Sequence, residues 1–172
     1  VAIKSDSLKM GKGTVLTCIM VLVTVSTVAE SSKDAMKYIT TGFIKVLKDC
    51  RLELQLDDKI IVDLFHYWRL DYSLLNRNIG CLIICMSKKL DLIDESGRLH
   101  HGNAHEFAMS HGADAEMATK LVQIIHSCEK GHDHEDECTR VLEVAKCFRT
   151  AIHELDWHPD MEVGVLEVLA EI

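Results

Sequence analysis

The chain has few of the proline and glycine residues that turn-rich β folds require, and fewer basic than acidic residues. Its 172 residues include one proline and nine glycines, and aromatic residues make up 5% of them. This shortage of turn formers favours long helices over a fold of many short strands. The chain has 19 basic and 27 acidic residues, for a formal charge of −8. Because a nucleic-acid partner requires a basic face for its phosphates, this balance argues against one.

The first 31 residues differ from the rest in a way that is typical of a secretory signal peptide. Met10 and the basic Lys12 precede an apolar run over 14–28, and small residues near Ser31 suit cleavage. The run is shorter and more broken by Thr and Ser than a membrane span of about 20 apolar residues, although an anchoring helix is the alternative. We expect residues 1–9 to be translated upstream sequence, 10–31 to be the signal peptide and 32–172 to be one mature domain.

The mature segment is patterned for helices almost throughout. Asp57 or Asp58 can cap a helix, Asp114 precedes a long helix, 94–97 has the composition of a turn, and Pro159 separates the last helix from a tail over 160–172. No segment has a convincing strand pattern, so the predicted fold class is all-α. Apolar residues recur at helical spacing in about six segments, over 36–50, 60–68, 77–90, 101–110, 115–128 and 138–155.

Six of the seven cysteines lie after Ser31. An even number behind a signal peptide predicts disulfides. The stretch GCLIICMS places Cys81 and Cys85 four residues apart on a helix, with Cβ atoms about 6 Å apart where a disulfide needs about 3.8 Å. Each must therefore bond a different partner, and Cys138 and Cys147 are likewise too far apart to bond each other. Six cysteines allow 15 pairings, among which the spacing alone does not choose.

Other chemistries for these residues are less well supported. The apolar C-x3-C spacing does not match the C-x2-C motif of redox proteins. His101 and His105 are four residues apart on a helix, as in some zinc sites, and a metal-dependent hydrolase using them is an alternative. Ser87 has no histidine and acid beside it in the sequence. We expect no catalytic residue, no metal and no cofactor.

The cysteine spacing C-x30-C-x3-C-x42-C-x9-C-x8-C, with the signal peptide and the helical pattern, resembles that of the insect odorant-binding proteins. Local blocks across the mature chain resemble the pheromone-binding proteins of moths in particular. The blocks are Phe65–Trp68, Asn76–Ser87, Leu99–Ala104, His111–Asp114, His126–Lys130 and Leu155–Trp157.

The resemblance implies a compact bundle of six helices with three interlocked disulfides around an apolar cavity. The implied pairs are Cys50–Cys85, Cys81–Cys138 and Cys128–Cys147. The cavity would hold a long-chain unsaturated alcohol, acetate or aldehyde, with the Ser87 hydroxyl donating to its oxygen. Tyr67 stands where the family commonly has Phe, so its hydroxyl needs a partner and either adds a second polar anchor or narrows the cavity. The implied ligand-binding residues are Phe43, Tyr67, Trp68, Ile83, Ser87, Phe107, Ile125 and Phe148.

The resemblance also implies that ligand is released at acidic pH, when the tail over 160–172 enters the cavity. Histidines titrate in the relevant range, and carboxylates on an amphipathic tail oppose its burial until they are protonated. The alternative is a tail that forms a simple surface helix. The residues assigned to this switch are His100, His101, His126, Asp160, Glu162, Glu167 and Glu171.

The family resemblance suggests a secreted carrier in antennal sensillum lymph that delivers pheromone to an olfactory receptor or a membrane surface, and that is able to form homodimers. Within the family, the alternative is a general odorant-binding protein for plant volatiles. Outside it, the alternative is a disulfide-stapled protein that has an interaction surface and no cavity.

Overall fold

The computed structural model describes residues 31–159, which are mainly helical. Residues 31–44 belong to α1, and Ile93 and Leu99 form an isolated β-bridge, with no strand in the described range. The predicted all-α class is confirmed. The following helices are α2 (Leu47–Glu53), α3 (Lys59–Trp68), α4 (Arg77–Lys89), α5 (His101–Ser110), α6 (Ala115–Gly131) and α7 (Glu137–Glu154), with a short 3-10 helix at Tyr72–Leu74.

The single helix predicted over 36–50 is interrupted by a turn at Lys45 and Val46, which separates α1 from α2. Leu47 and Cys50 are buried and Phe43 is half-buried on either side of this turn. The apolar pattern therefore continues through the turn and contains no sign of it. With α1 and α2 taken as one interrupted helix, the described chain has the six helical segments predicted.

Side-chain hydrogen-bond acceptors cap the N-termini of several helices. The carboxylate of Asp57, one of the two predicted caps of α3, accepts a hydrogen bond from the Lys59 N–H at 2.9 Å. The carboxylate of Asp114 accepts one from the Met117 N–H at 2.8 Å at the start of α6. His100 was not predicted as a cap, yet its Nδ1 accepts from the Asn103 N–H at 3.2 Å and begins α5. Each such bond satisfies a backbone donor that the first turn of a helix leaves without a partner.

Three disulfides connect the helices: Cys50–Cys85, Cys81–Cys138 and Cys128–Cys147. These are the pairs that the family resemblance implies. They join α2 to α4, α4 to α7, and α7 to α6, so α4 and α7 each hold two bridges. Because a bridge reduces the conformational entropy of the unfolded chain, closing loops of these lengths stabilises the folded protein by about 3–4 kcal/mol per bridge. The GCLIICMS stretch is therefore a structural staple between two other elements.

Two groups of buried side chains form the core, and α7, which packs along α4, contributes to both of them. One group brings together α1, α5, α6 and the end of α7 around Met36 and Ile152. The other brings together α2, α3, α4 and α7 around Ile79 and Leu82. Apart from α2, the helices that carry these groups also surround the cavity described below.

The predicted signal segment, apart from Ser31, and the tail over 160–172 lie outside the described residues, so their boundaries stay predictions. Within 31–159, no helix is both long enough and apolar enough to span a membrane.

Candidate functional site

A cavity of about 230 Å³ lies between the two core groups. Its walls come from α1, α3, α4, α5, α6 and α7 and from the loop over 92–99, and they are mainly aliphatic and aromatic. The volume is slightly below the range of about 300–1,000 Å³ that is usual for small-molecule sites, which suits a slender ligand. All eight residues that the resemblance implies line this cavity: Phe43, Tyr67, Trp68, Ile83, Ser87, Phe107, Ile125 and Phe148.

Two aliphatic hydroxyl side chains are part of the cavity wall. Ser87 on α4 and Thr40 on α1 are both 7% exposed. Neither hydroxyl has a hydrogen bond to any other residue of the described range. Both are therefore able to donate to a ligand oxygen, and Ser87 has no histidine bonded to it that would make it a nucleophile. Thr40 was not predicted from the sequence.

Two charged side chains also reach the cavity wall, and both hold the loop between α4 and α5. Glu129 on α6 accepts a hydrogen bond from the Leu99 N–H at 2.8 Å. Arg140 on α7 donates to the Ser96 carbonyl oxygen at 3.2 Å and is 7% exposed. Neither residue was predicted from the sequence. A signal was present for Arg140, because it precedes Val144 and Phe148 by four and eight residues and so shares their helical face.

The Tyr67 hydroxyl has its partner within the protein. It donates to the carbonyl oxygen of Ala145 on α7 at 3.0 Å. Burial raises the pKa of this phenol well above its usual range, so it stays protonated. Because its proton is committed to Ala145, the hydroxyl does not serve as a second donor to a ligand. The hydrogen bond instead holds α3 against α7 along the cavity wall.

Trp68 is oriented by a buried arginine. Arg149 is 4% exposed. The central carbon of its guanidinium lies 5.3 Å from the Trp68 ring centroid, and the guanidinium donates to the Trp68 carbonyl oxygen at 2.7 Å. Burial lowers the pKa of Arg149. The charge packed on the ring face and the hydrogen bond at the end of α3 together position the indole beside the cavity.

The three histidines assigned to the switch lie next to the cavity wall without lining it within residues 31–159. His100 caps α5, while the rings of His101 and His126 meet edge to face with their centroids 4.8 Å apart. The acidic members of that set, Asp160, Glu162, Glu167 and Glu171, lie outside the described residues. The structure therefore brings His101 and His126 together, and the switch itself stays a prediction.

His158, at the end of the described chain, is expected to reduce stability in acid. Burial lowers its pKa, and the nearby positive groups Arg149, His153 and Lys33 lower it further against the opposing charge of Asp156. The unfolded chain therefore takes up this proton at a higher pH than the folded chain does. The free energy of unfolding should then decrease as the pH falls through about 6.5, the ordinary histidine pKa.

Urea unfolding of wild-type protein and His158→Asn between pH 7.5 and pH 5 measures this contribution. The variant should lose less stability on acidification than the wild type. Parallel curves for the two proteins would contradict the assignment.

Comparisons with known proteins agree with this architecture. A model of the PBP/GOBP family matches residues 32–151. The chain is 45% identical to pheromone-binding protein 2 of Epiphyas postvittana over 144 residues, which cover 83% of this chain and 87% of that protein. It is 37% identical to general odorant-binding protein 1 of Antheraea pernyi over 139 residues, which cover 80% and 83% of the two chains.

A solved structure extends the likeness to three dimensions. The crystal structure of Epiphyas postvittana pheromone binding protein 3 matches with a TM-score of 0.62 and 63% sequence identity, over 64% of this chain and 96% of that one. The family model includes all six cysteines of the three bridges. The chain therefore belongs to the PBP/GOBP family, a family of binding proteins, as its cysteine spacing and local blocks predict.

Proposed function

We propose that this protein is a secreted carrier that binds one hydrophobic, long-chain pheromone and keeps it in solution in sensillum lymph. The cavity is the observation that carries the proposal. Its apolar walls can bury methylene groups at about 0.8 kcal/mol each, and its few polar groups suit a ligand with one polar end. After the entropy and desolvation losses of binding, we expect an affinity in the micromolar range or tighter.

The proposed ligand class is a long-chain unsaturated alcohol, acetate or aldehyde. Each of these has an oxygen that accepts a hydrogen bond, and the Ser87 hydroxyl is the proposed donor. The lack of another hydrogen bond at Ser87 in the described residues supports this role. The eight lining residues named above are the proposed contacts of the ligand's hydrocarbon chain and of its polar head group.

A general odorant-binding protein for plant volatiles is the second candidate function. Its support is the 37% identity to general odorant-binding protein 1 of Antheraea pernyi. The 45% identity to pheromone-binding protein 2 and the 63% identity to the solved pheromone binding protein 3 favour the pheromone branch.

Release at acidic pH is the regulatory part of the proposal. Protonation of Asp160, Glu162, Glu167 and Glu171 would reduce the cost of burying the tail, which would then compete with ligand for the cavity. Ligand would be delivered to an olfactory receptor or at a membrane surface, and homodimers are part of the same proposal.

A fluorescent-probe displacement titration on purified, oxidised protein at pH 7 and pH 5 tests the function. At pH 7, long-chain acetates, alcohols and aldehydes should displace the probe more strongly than short plant volatiles do. Displacement by the long-chain ligands should be weaker at pH 5 than at pH 7. A chain that ends at Pro159 should lose this pH dependence. Equal binding at both pH values would remove the switch and leave the carrier, whereas no displacement by any ligand would contradict the carrier itself.

The Ser87 anchor predicts a head-group effect. Ser87→Ala should weaken binding of a long-chain alcohol about fivefold to tenfold, the equivalent of one hydrogen bond of about 1–1.4 kcal/mol. A hydrocarbon of the same length is the control, and its affinity should not change. If Thr40→Val has the larger effect on the alcohol, Thr40 rather than Ser87 is the anchor.

A further inference from the structure

Three metal-ligating side chains from two helices come together beside the cavity. They are His101 at the start of α5 and, on α6, His126 and Glu129, and one donor atom of each lies within 4.8 Å of the others. The residues differ in accessibility, since His101 is exposed, His126 is half-buried and Glu129 is 9% exposed. The cluster is thus open to solvent on one side and closed by protein on the other.

The two histidines of this cluster have ring nitrogens that are available to bind an ion. Neither His101 nor His126 forms a hydrogen bond or an ion pair with another residue in the range 31–159. Other histidines differ: His100 accepts from the Asn103 N–H, and His132 Nδ1 lies 2.9 Å from the Cys128 carbonyl oxygen.

The third member, Glu129, is held in place by its backbone partner. One of its oxygens accepts from the Leu99 N–H, which fixes the carboxylate and leaves the second oxygen for a cation.

The chemistry of this set selects a class of metal. Two imidazole nitrogens and one carboxylate oxygen suit borderline first-row divalent ions such as Zn²⁺, whereas Mg²⁺ and Ca²⁺ prefer all-oxygen sites. Metal–ligand bonds of about 2.0–2.1 Å place donors about 3.3 Å apart in a tetrahedron. The donors, which lie within 4.8 Å of one another, must therefore approach by up to about 1.5 Å, which the exposed His101 side chain assists by rotating.

We propose that His101, His126 and Glu129 bind one divalent transition-metal ion of the Zn²⁺ type, with water completing its coordination. The ion would join α5 to α6 at the wall that Glu129 shares with the cavity. This set differs from the His101 and His105 pair that the sequence suggests. His105 is outside the cluster, and its Nε2 lies 3.4 Å from the Thr119 hydroxyl.

Calorimetric titration of the oxidised protein with Zn²⁺ tests the proposal, with His101→Gln, His126→Gln and His105→Gln as variants. The wild type should bind one ion per chain. His101→Gln and His126→Gln should each weaken that binding at least about tenfold, and His105→Gln should leave it unchanged. Because His101 is exposed, its variant tests the site even if His126→Gln disturbs the packing of α6.

The visible absorption spectrum of bound Co²⁺ provides a second measurement, which does not rely on the heat of binding that calorimetry detects. The wild type and His105→Gln should show visible bands of nitrogen and oxygen coordination, and His101→Gln should lose them. The proposal is overturned if the wild type binds no Zn²⁺, or if His101→Gln and His126→Gln bind it as tightly as His105→Gln does.

Discussion

Gly80→Ala is expected to destabilise the folded protein by about 3 kcal/mol, the upper part of the range for overpacking. Gly80 lies in α4 where that helix meets the start of α7. A Cβ atom there would overlap the carbonyl oxygen of Cys138 and would lie 3.2 Å from the Leu142 Cβ. The obstacle is backbone rather than the end of a flexible side chain, so the helices themselves must move apart. Urea unfolding of the oxidised protein measures the loss.

Gly131→Ala is the matched control, because Gly131 also lies in a helix and a Cβ there would meet nothing within 4 Å. That change should be neutral or should stabilise by up to about 1 kcal/mol. The Cα atoms of Cys81 and Cys138 are only 4.6 Å apart, so the same crossing allows their disulfide. Counting free thiols in Gly80→Ala shows whether the bridge still forms. Equal unfolding free energies for the two alanine variants would contradict the close packing described here.

Val144→Trp is expected to weaken the binding of a long-chain ligand about 60-fold to 200-fold. Val144 lies on α7 and lines the cavity. An indole ring placed there would occupy space that three or four methylenes of the ligand need, and each of them contributes about 0.8 kcal/mol when buried. Because the ring enters existing space, the thermal midpoint should change by only a few degrees. Probe displacement at pH 7 measures the affinity.

Val62→Trp makes the same substitution at a valine of α3 that is 53% exposed. It should bind ligand as the wild type does, which separates filling of the cavity from any general effect of an added tryptophan. If Val144→Trp retains wild-type affinity while folding normally, the ligand does not bind in this cavity and the proposed contacts are wrong.

Local features of the fold were predictable because their causes are local. Helical spacing of apolar residues located the segments, and the carboxylate of Asp57, one of two predicted caps, accepts a hydrogen bond from the Lys59 N–H at the start of α3. Both depend on residues within one or two turns of each other. The turn at Lys45 and Val46 was not predictable in this way, because the apolar face continues on both sides of it.

The cavity was predictable only through the family resemblance. Periodicity shows that Phe107 and Phe148 face inward, but an inward residue can equally fill a core. Glu129 and Arg140 show the limit more clearly, since a charged residue on a long helix is usually on its solvent face. Their burial depends on the loop over 92–99, whose backbone gives each of them a partner.

The amino-acid sequence by itself therefore determined the helices, the disulfide-bonded class and, through its cysteine spacing and local blocks, the family. The tertiary structure decided which faces meet: that Gly80 lies against Cys138, that the Tyr67 proton is bound by Ala145, and that His101 lies beside His126. The physical reason is one of range. Helix formation and capping depend on neighbours a few residues away, whereas the cavity wall and the histidine cluster join residues that the chain separates by tens of positions.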